Sequence, residues 1–113
     1  MMSPRVGAPR SDVAYVYCLI DPINHEVRYI GESRSPYQRL RQHISQRTAS
    51  PGIRTWVEEL REFGLEPEMV VLEAVPATEI NAAERKWIEW GWQARFRLLN
   101  RTGSGAYSPT QRI

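Results

Sequence analysis

Val13-Ala14-Tyr15-Val16-Tyr17-Cys18-Leu19-Ile20, then Asp21-Pro22-Ile23-Asn24-His25-Glu26, then Val27-Arg28-Tyr29-Ile30-Gly31: this stretch decides the fold. The first segment is β-branched and aromatic and reads as a strand. The middle segment carries turn chemistry, with Asp-Pro to open and Asn to bend. The third reads as the returning strand, so residues 13–31 form a β-hairpin. Period-2 alternation puts Tyr15, Tyr17 and Leu19 on one face of the first strand. Val27, Tyr29 and Gly31 share a face of the second. Gly31 marks a tight exit, where backbone can pass close to a neighbouring group.

Working outward, residues 1–12 are polar and punctuated by Pro and Gly, and read as a flexible lead-in. Downstream, Ser35-Pro36-Tyr37-Gln38 places Ser at an N-cap, Pro at N1 and Gln at N3 of a helix that should run to about Gln46. Ser50-Pro51 opens a second helix. Its apolar stripe is Ile53, Trp56, Val57, Leu60 and Phe63, and Gly64 is placed to close it. Pro67 to Val75 is a third, mostly apolar strand, expected at the centre of the sheet. Thr78 is expected to cap a long last helix over about 79–97. Leu98-Leu99-Asn100 follows, and residues 106–113 read as a tail. The order β-β-α-α-β-α predicts an α/β domain over 13–105, with a small three-stranded antiparallel sheet flanked by helices.

The 113 residues suit one domain. No apolar run approaches the roughly 20 residues of a membrane span, and no signal-peptide core stands near the start. Cys18 is the only cysteine, which excludes an internal disulfide and a Zn site built from several thiolates. A reducing, cytoplasmic setting is expected. Net charge is only +2, but it is unevenly placed. Residues 1–54 hold eight Arg against four acids, and residues 55–113 hold seven bases against nine acids. Only one of the bases, Lys86, is not arginine, and the Arg fork matches phosphate oxygens. On charge alone a solvated Arg-rich surface is the better explanation.

Three features break the ordinary pattern. Glu84 has Ile80, Trp87 and Ile88 as helical neighbours, so its carboxylate points toward the core side. A carboxylate there is costly unless it is paired or binds a metal. An ion pair to an Arg from another element is one reading. A ligand for a hard cation such as Mg²⁺ is the other. Tyr17 and Tyr29, on adjacent strands, can converge on one pocket or simply pack. Arg39 and His43 stack on one face of the first helix, beside the apolar pair Leu40 and Ile44. Histidine suits proton traffic near neutral pH and arginine suits phosphate.

In this order and on these elements, the residues resemble the GIY-YIG nuclease family. The signature stands as Tyr15-Val16-Tyr17 and, further on, Tyr29-Ile30-Gly31. Tyr15 replaces the family's usual Gly and Val16 its usual Ile, while Tyr17 is retained. The family's helix arginine matches Arg39, its histidine His43, its metal-binding glutamate Glu84 and its terminal asparagine Asn100. The similarity runs from about Val13 to Gly105. It implies a metal-dependent endonuclease that hydrolyses DNA phosphodiester bonds with one Mg²⁺ (or Mn²⁺) on Glu84. It implies Tyr17 as general base assisted by His43, Arg39 on the phosphate and Tyr29 orienting water or phosphate. Asn100 would support the edge of the site. The charge split adds Arg34, Arg39 and Arg41 as the expected DNA contacts. A non-catalytic nucleic-acid-binding module on the same fold is the alternative. A stand-alone nuclease of bacterial, phage or mobile-element origin is expected; its DNA preference and oligomeric state stay open.

Overall fold

The structure, a computed structural model, describes residues 12–45 and 50–100. The proposed tail, most of the lead-in, and Gln46 lie outside the described residues. Strands β1 (Val13–Ile20), β2 (Val27–Ser33) and β3 (Glu68–Pro76) form one antiparallel sheet in the order β2-β1-β3. Helices α1 (Pro36–Ser45) and α2 (Pro51–Glu62) follow the hairpin, and α3 (Ile80–Gln93) follows β3 after a 3₁₀ turn at Ala77–Glu79. The α/β class and the strand count are those expected. Among the described residues no helix is long and apolar enough to cross a membrane.

The hairpin turn is built by its own polar groups. The Asp21 carboxylate accepts from the Ile23 amide at 2.8 Å, and the Asn24 side chain from the Glu26 amide at 2.9 Å. The left-handed residue is His25, at φ 62°, not Asn24. Asp21 also accepts from the Trp56 indole at 3.1 Å, which pins the turn to α2.

Two positions in the sheet differ from expectation. The third strand lies at the edge, not the centre, and β1 is the central strand. Apolar composition marks a strand but cannot say which neighbours it finds. Val27 also changes face. Leu19 pairs with Tyr29 but Ile20 with Val27, so Arg28 is the extra residue of a β-bulge. The bulge turns Val27 away from Tyr29 and into the cluster of Val16, Cys18, Ile30, Ala83 and Leu98 beneath α3. Tyr17 and Leu19 face the other way, onto Trp56 and Leu60 of α2.

Helix α2 ends as its glycine predicts. Gly64 sits at φ 74°, its amide bonds to the Arg61 carbonyl, and the Leu65 amide bonds to that of Leu60. Together these make a Schellman motif, completed by the packing of Leu65 near Leu60. The last helix is shorter than expected. A 3₁₀ turn replaces the Thr78 cap, Glu79 stands at the N-cap with no side-chain cap bond, and the helix stops at Gln93. Arg95 closes it with a second Schellman pattern, adopting φ 68° where glycine is usual. The chain then reverses and runs back along β2.

Candidate active site

Strand β2 is touched by both α1 and α3, so residues from all three elements, and from β1 beside it, gather there. Tyr17 lies opposite Gly31 in the register and is fully buried. A Cβ placed on Gly31 would stand 2.7 Å from the Tyr17 hydroxyl and 2.8 Å from the Tyr29 ring. Glycine here therefore makes room for two tyrosine rings, 6.2 Å apart between centroids. The close approach read from the sequence at Gly31 is thus made by the protein's own tyrosines.

Helix α1 supplies the next two groups. The Tyr17 hydroxyl and His43 Nε2 are 2.9 Å apart. The Tyr29 ring stands edge-on to the imidazole, with centroids at 5.2 Å. Arg39 is exposed, yet its side chain hydrogen-bonds Tyr17. The amphipathic pattern put Leu40 and Ile44 innermost on this helix. Instead His43 is buried, at 3% exposure, while both apolar neighbours are half-buried. His43 Nδ1 is buried with no hydrogen-bond partner among the described residues.

The buried setting moves the titrations. Burial, the nearby Tyr29 and the Glu84 carboxylate push the Tyr17 phenol well above its ordinary range, while Arg39 opposes them. Burial, with the Glu84 charge second, also raises Tyr29. Burial and the Arg39 charge push His43 down to about 4, so it is neutral at pH 7.

Glu84 sits on α3 beside Ala83 and is half-buried, as its apolar neighbours Ile80, Trp87 and Ile88 require. Burial raises its carboxyl above the ordinary range, and Glu32 raises it further. Among the described residues no hydrogen bond or ion pair compensates it. In the sequence Glu32 stands out only as one of the four acids of residues 1–54. Its signal was the period-2 step from Ile30, which packs against α3 and puts Glu32 on the same face. A half-buried acid with another acid near it fits a hard divalent cation. Among the described residues no three metal-ligating side chains come together, so such an ion would keep several waters, as Mg²⁺ does.

Asn100 is spent on the strand. Its amide accepts from the Ile30 N–H at 3.0 Å and donates to the Ile30 carbonyl at 2.7 Å. It holds the backbone between Tyr29 and Gly31 and lies outside the Tyr17, Arg39 and His43 cluster. Arg34 is exposed in the bend before α1, and Arg41 is exposed within the helix.

Residues of β1, β2, α1 and α3 thus meet at one end of the sheet, and the family to which the chain belongs makes it a nuclease-type domain. A model of the GIY-YIG catalytic domain matches residues 13–97, and the chain belongs to that family. Comparisons with curated proteins and with solved structures returned no match.

Proposed function

We propose that this domain hydrolyses DNA phosphodiester bonds, with Glu84 holding one divalent ion of the Mg²⁺ or Mn²⁺ type. The observation that carries the reading is the uncompensated, half-buried Glu84 carboxylate, whose charge acts on both site tyrosines. When bound, such an ion supplies positive charge to the scissile phosphate and the leaving oxygen.

The chain's own groups handle the proton and the phosphate. Neutral His43 can accept the hydrogen bond of the Tyr17 hydroxyl through Nε2. As the phenol passes its own proton to His43 Nε2, its oxygen takes the proton of the attacking water, so that His43 ends protonated and Tyr17 neutral. Burial opposes a free phenolate, so Tyr17 acts as a general base only with the help of Arg39 and His43. Arg39, exposed and bonded to the same phenol, is positioned to meet a phosphate entering from solvent. Tyr29 flanks this point and orients water or phosphate. Asn100 positions β2 and does not touch the reacting atoms. Arg34 and Arg41 extend the positive surface along α1, whereas Glu58, Glu59 and Glu62 make the exposed side of α2 acidic. DNA backbone accordingly tracks over the start of α1.

The test uses plasmid, branched and single-stranded DNA with Mg²⁺ or EDTA. Glu84→Gln should abolish cleavage and leave DNA binding largely intact. Cutting by this variant at the wild-type rate would remove Glu84 from the mechanism.

A further inference from the structure

We propose that Tyr37 is a stacking platform for an unpaired base of the DNA, so that this domain favours single-stranded or locally open substrate. The inference rests on the proposed action on DNA and adds to it a substrate class.

Among the described residues two large aromatic side chains are strongly exposed: Tyr37 at 69% and Phe63 at 71%. Their surroundings are opposite. Phe63 follows Glu62 and the acidic outer face of α2. Tyr37 stands in the first turn of α1, a helix that contains Arg39, Arg41 and His43 and no acid at all. Arg41 lies one turn further on, on the same face as Tyr37, and Arg34 lies in the bend just before the helix. The Tyr37 ring makes no ring contact, and its hydroxyl no hydrogen bond, among the described residues. Trp90, 38% exposed, is already met edge-on by Trp87 and Phe96, so among the described residues Tyr37 is the exposed aromatic with an open ring and basic surroundings.

The helix also sets where the base would lie. Its buried side carries Pro36 and His43. Tyr37 and Arg39 are two residues apart, which places them on opposite flanks of that side, about 160° apart around the axis. Arg39 reaches Tyr17 on one flank, while Tyr37 and Arg41 occupy the other. A strand held by Arg39 at the reacting phosphate must cross the exposed face of α1 to reach Tyr37. The helix is about 10 Å wide with its side chains. At about 3.4 Å per nucleotide of stacked strand, the base on Tyr37 lies about three nucleotides from the phosphate on Arg39. A base in duplex is already stacked and shields its faces. A base in a gap, flap or single strand offers a free face, and every base has one.

The experiment uses Glu84→Gln protein, so that substrate survives, and oligonucleotides carrying 2-aminopurine as the fluorescent base. Affinity for single-stranded and fully paired DNA is measured at one fixed salt concentration. Tyr37→Ala should weaken single-strand binding by roughly 5- to 150-fold, the span of one aromatic–base stack. It should also abolish the 2-aminopurine quenching and change duplex binding by less than about twofold. Tyr37→Phe should behave as wild type, because stacking needs the ring and not the hydroxyl. Arg41→Ala should weaken both substrates alike and reduce the salt slope. Equal losses on both DNAs for Tyr37→Ala, no loss at all, or a Phe variant as weak as Ala would overturn the proposal while leaving DNA as the substrate. Failure of the Tyr37-intact protein to bind any of the DNAs would sink the DNA reading itself, and this inference with it.

Discussion

Strands β1 and β3 are neighbours in one sheet and both rich in valine, yet their situations differ. Val16, Tyr17 and Leu19 of β1 are wholly buried, whereas Val70 and Val71 of β3 are 45% and 39% exposed. Tyr17 and Val71 even sit opposite each other in the register. The difference lies in coverage. β1 pairs on both edges, and its faces are covered by α2 on one side and α3 on the other. Among the described residues β3 pairs on one edge only. Every proposed reacting side chain lies on β1, β2 or a helix that touches β2, and none lies on β3. A site that must hold charge and protons in fixed positions is built where the surroundings are rigid and dry.

The strongest way to break this contrast is to exchange function across the Tyr17–Val71 pair. Tyr17→Phe should lower the cleavage rate by about 10²–10⁴-fold, the usual worth of a general base. Val71→Thr, directly across the strand, should leave the rate within about twofold. A loss below threefold for Tyr17→Phe would make Tyr17 a packing residue, and the two strands would then differ only in burial. Urea denaturation of the same variants separates chemistry from folding, because the Phe variant also leaves His43 Nε2 without its partner.

Stability should divide in the same way. Ile30 is fully buried against α3, so Ile30→Ala should cost about 2–5 kcal/mol in denaturant titration. Val70→Ala on the edge strand should stay within about 0.5 kcal/mol. Comparable losses at the two sites would mean that β3 is covered in solution by something else.

The smallest of these effects is acid sensitivity, and it also belongs to the hairpin side. His43 is pushed down to about 4 in the fold, against an ordinary value of 6.5. As pH falls, the unfolded chain takes up this proton before the folded protein does. The resulting stability is fully present above about pH 6.5 and is lost progressively toward pH 4. It amounts to at most about 3 kcal/mol, at 1.36 kcal/mol per pH unit. Glu84, raised by burial, changes stability in the opposite direction as it ionises, so the quantity to follow is wild type minus His43→Gln across that window. A flat difference would mean that His43 is not held neutral by burial.

The hairpin, the helix starts at Pro36 and Pro51 and the Gly64 stop were legible because each is written in local residues. So was Glu84, since a carboxylate between Ile80 and Trp87 contradicts its own helix face. The central position of β1 was not legible, because coverage depends on elements far along the chain. Val27 was misplaced because one extra residue, Arg28, reverses a period-2 pattern and leaves no compositional trace. The depth of His43 was missed because an amphipathic stripe ranks Leu40 and Ile44 ahead of histidine, and the hydroxyl that receives it comes from another element. Glu32 near Glu84 needed the packing of α3 on β2, which spacing within one helix cannot show.

The segment that returns along β2 has a consequence for where this chain can be cut. The Leu99 amide bonds to the Arg28 carbonyl, Asn100 makes paired bonds to Ile30, and Arg97 grips Glu26 at 2.7 Å. These contacts occupy the outer rim of β2, while Leu98 fills the space under Gly91. The family match ends at residue 97, three residues before the last of them. A fragment expressed to that boundary would keep every proposed reacting side chain and still present a raw β-strand flank, open to edge-to-edge pairing between molecules. The practical terminus of the working unit is therefore no earlier than Asn100, and a shorter fragment that aggregates says nothing about its chemistry.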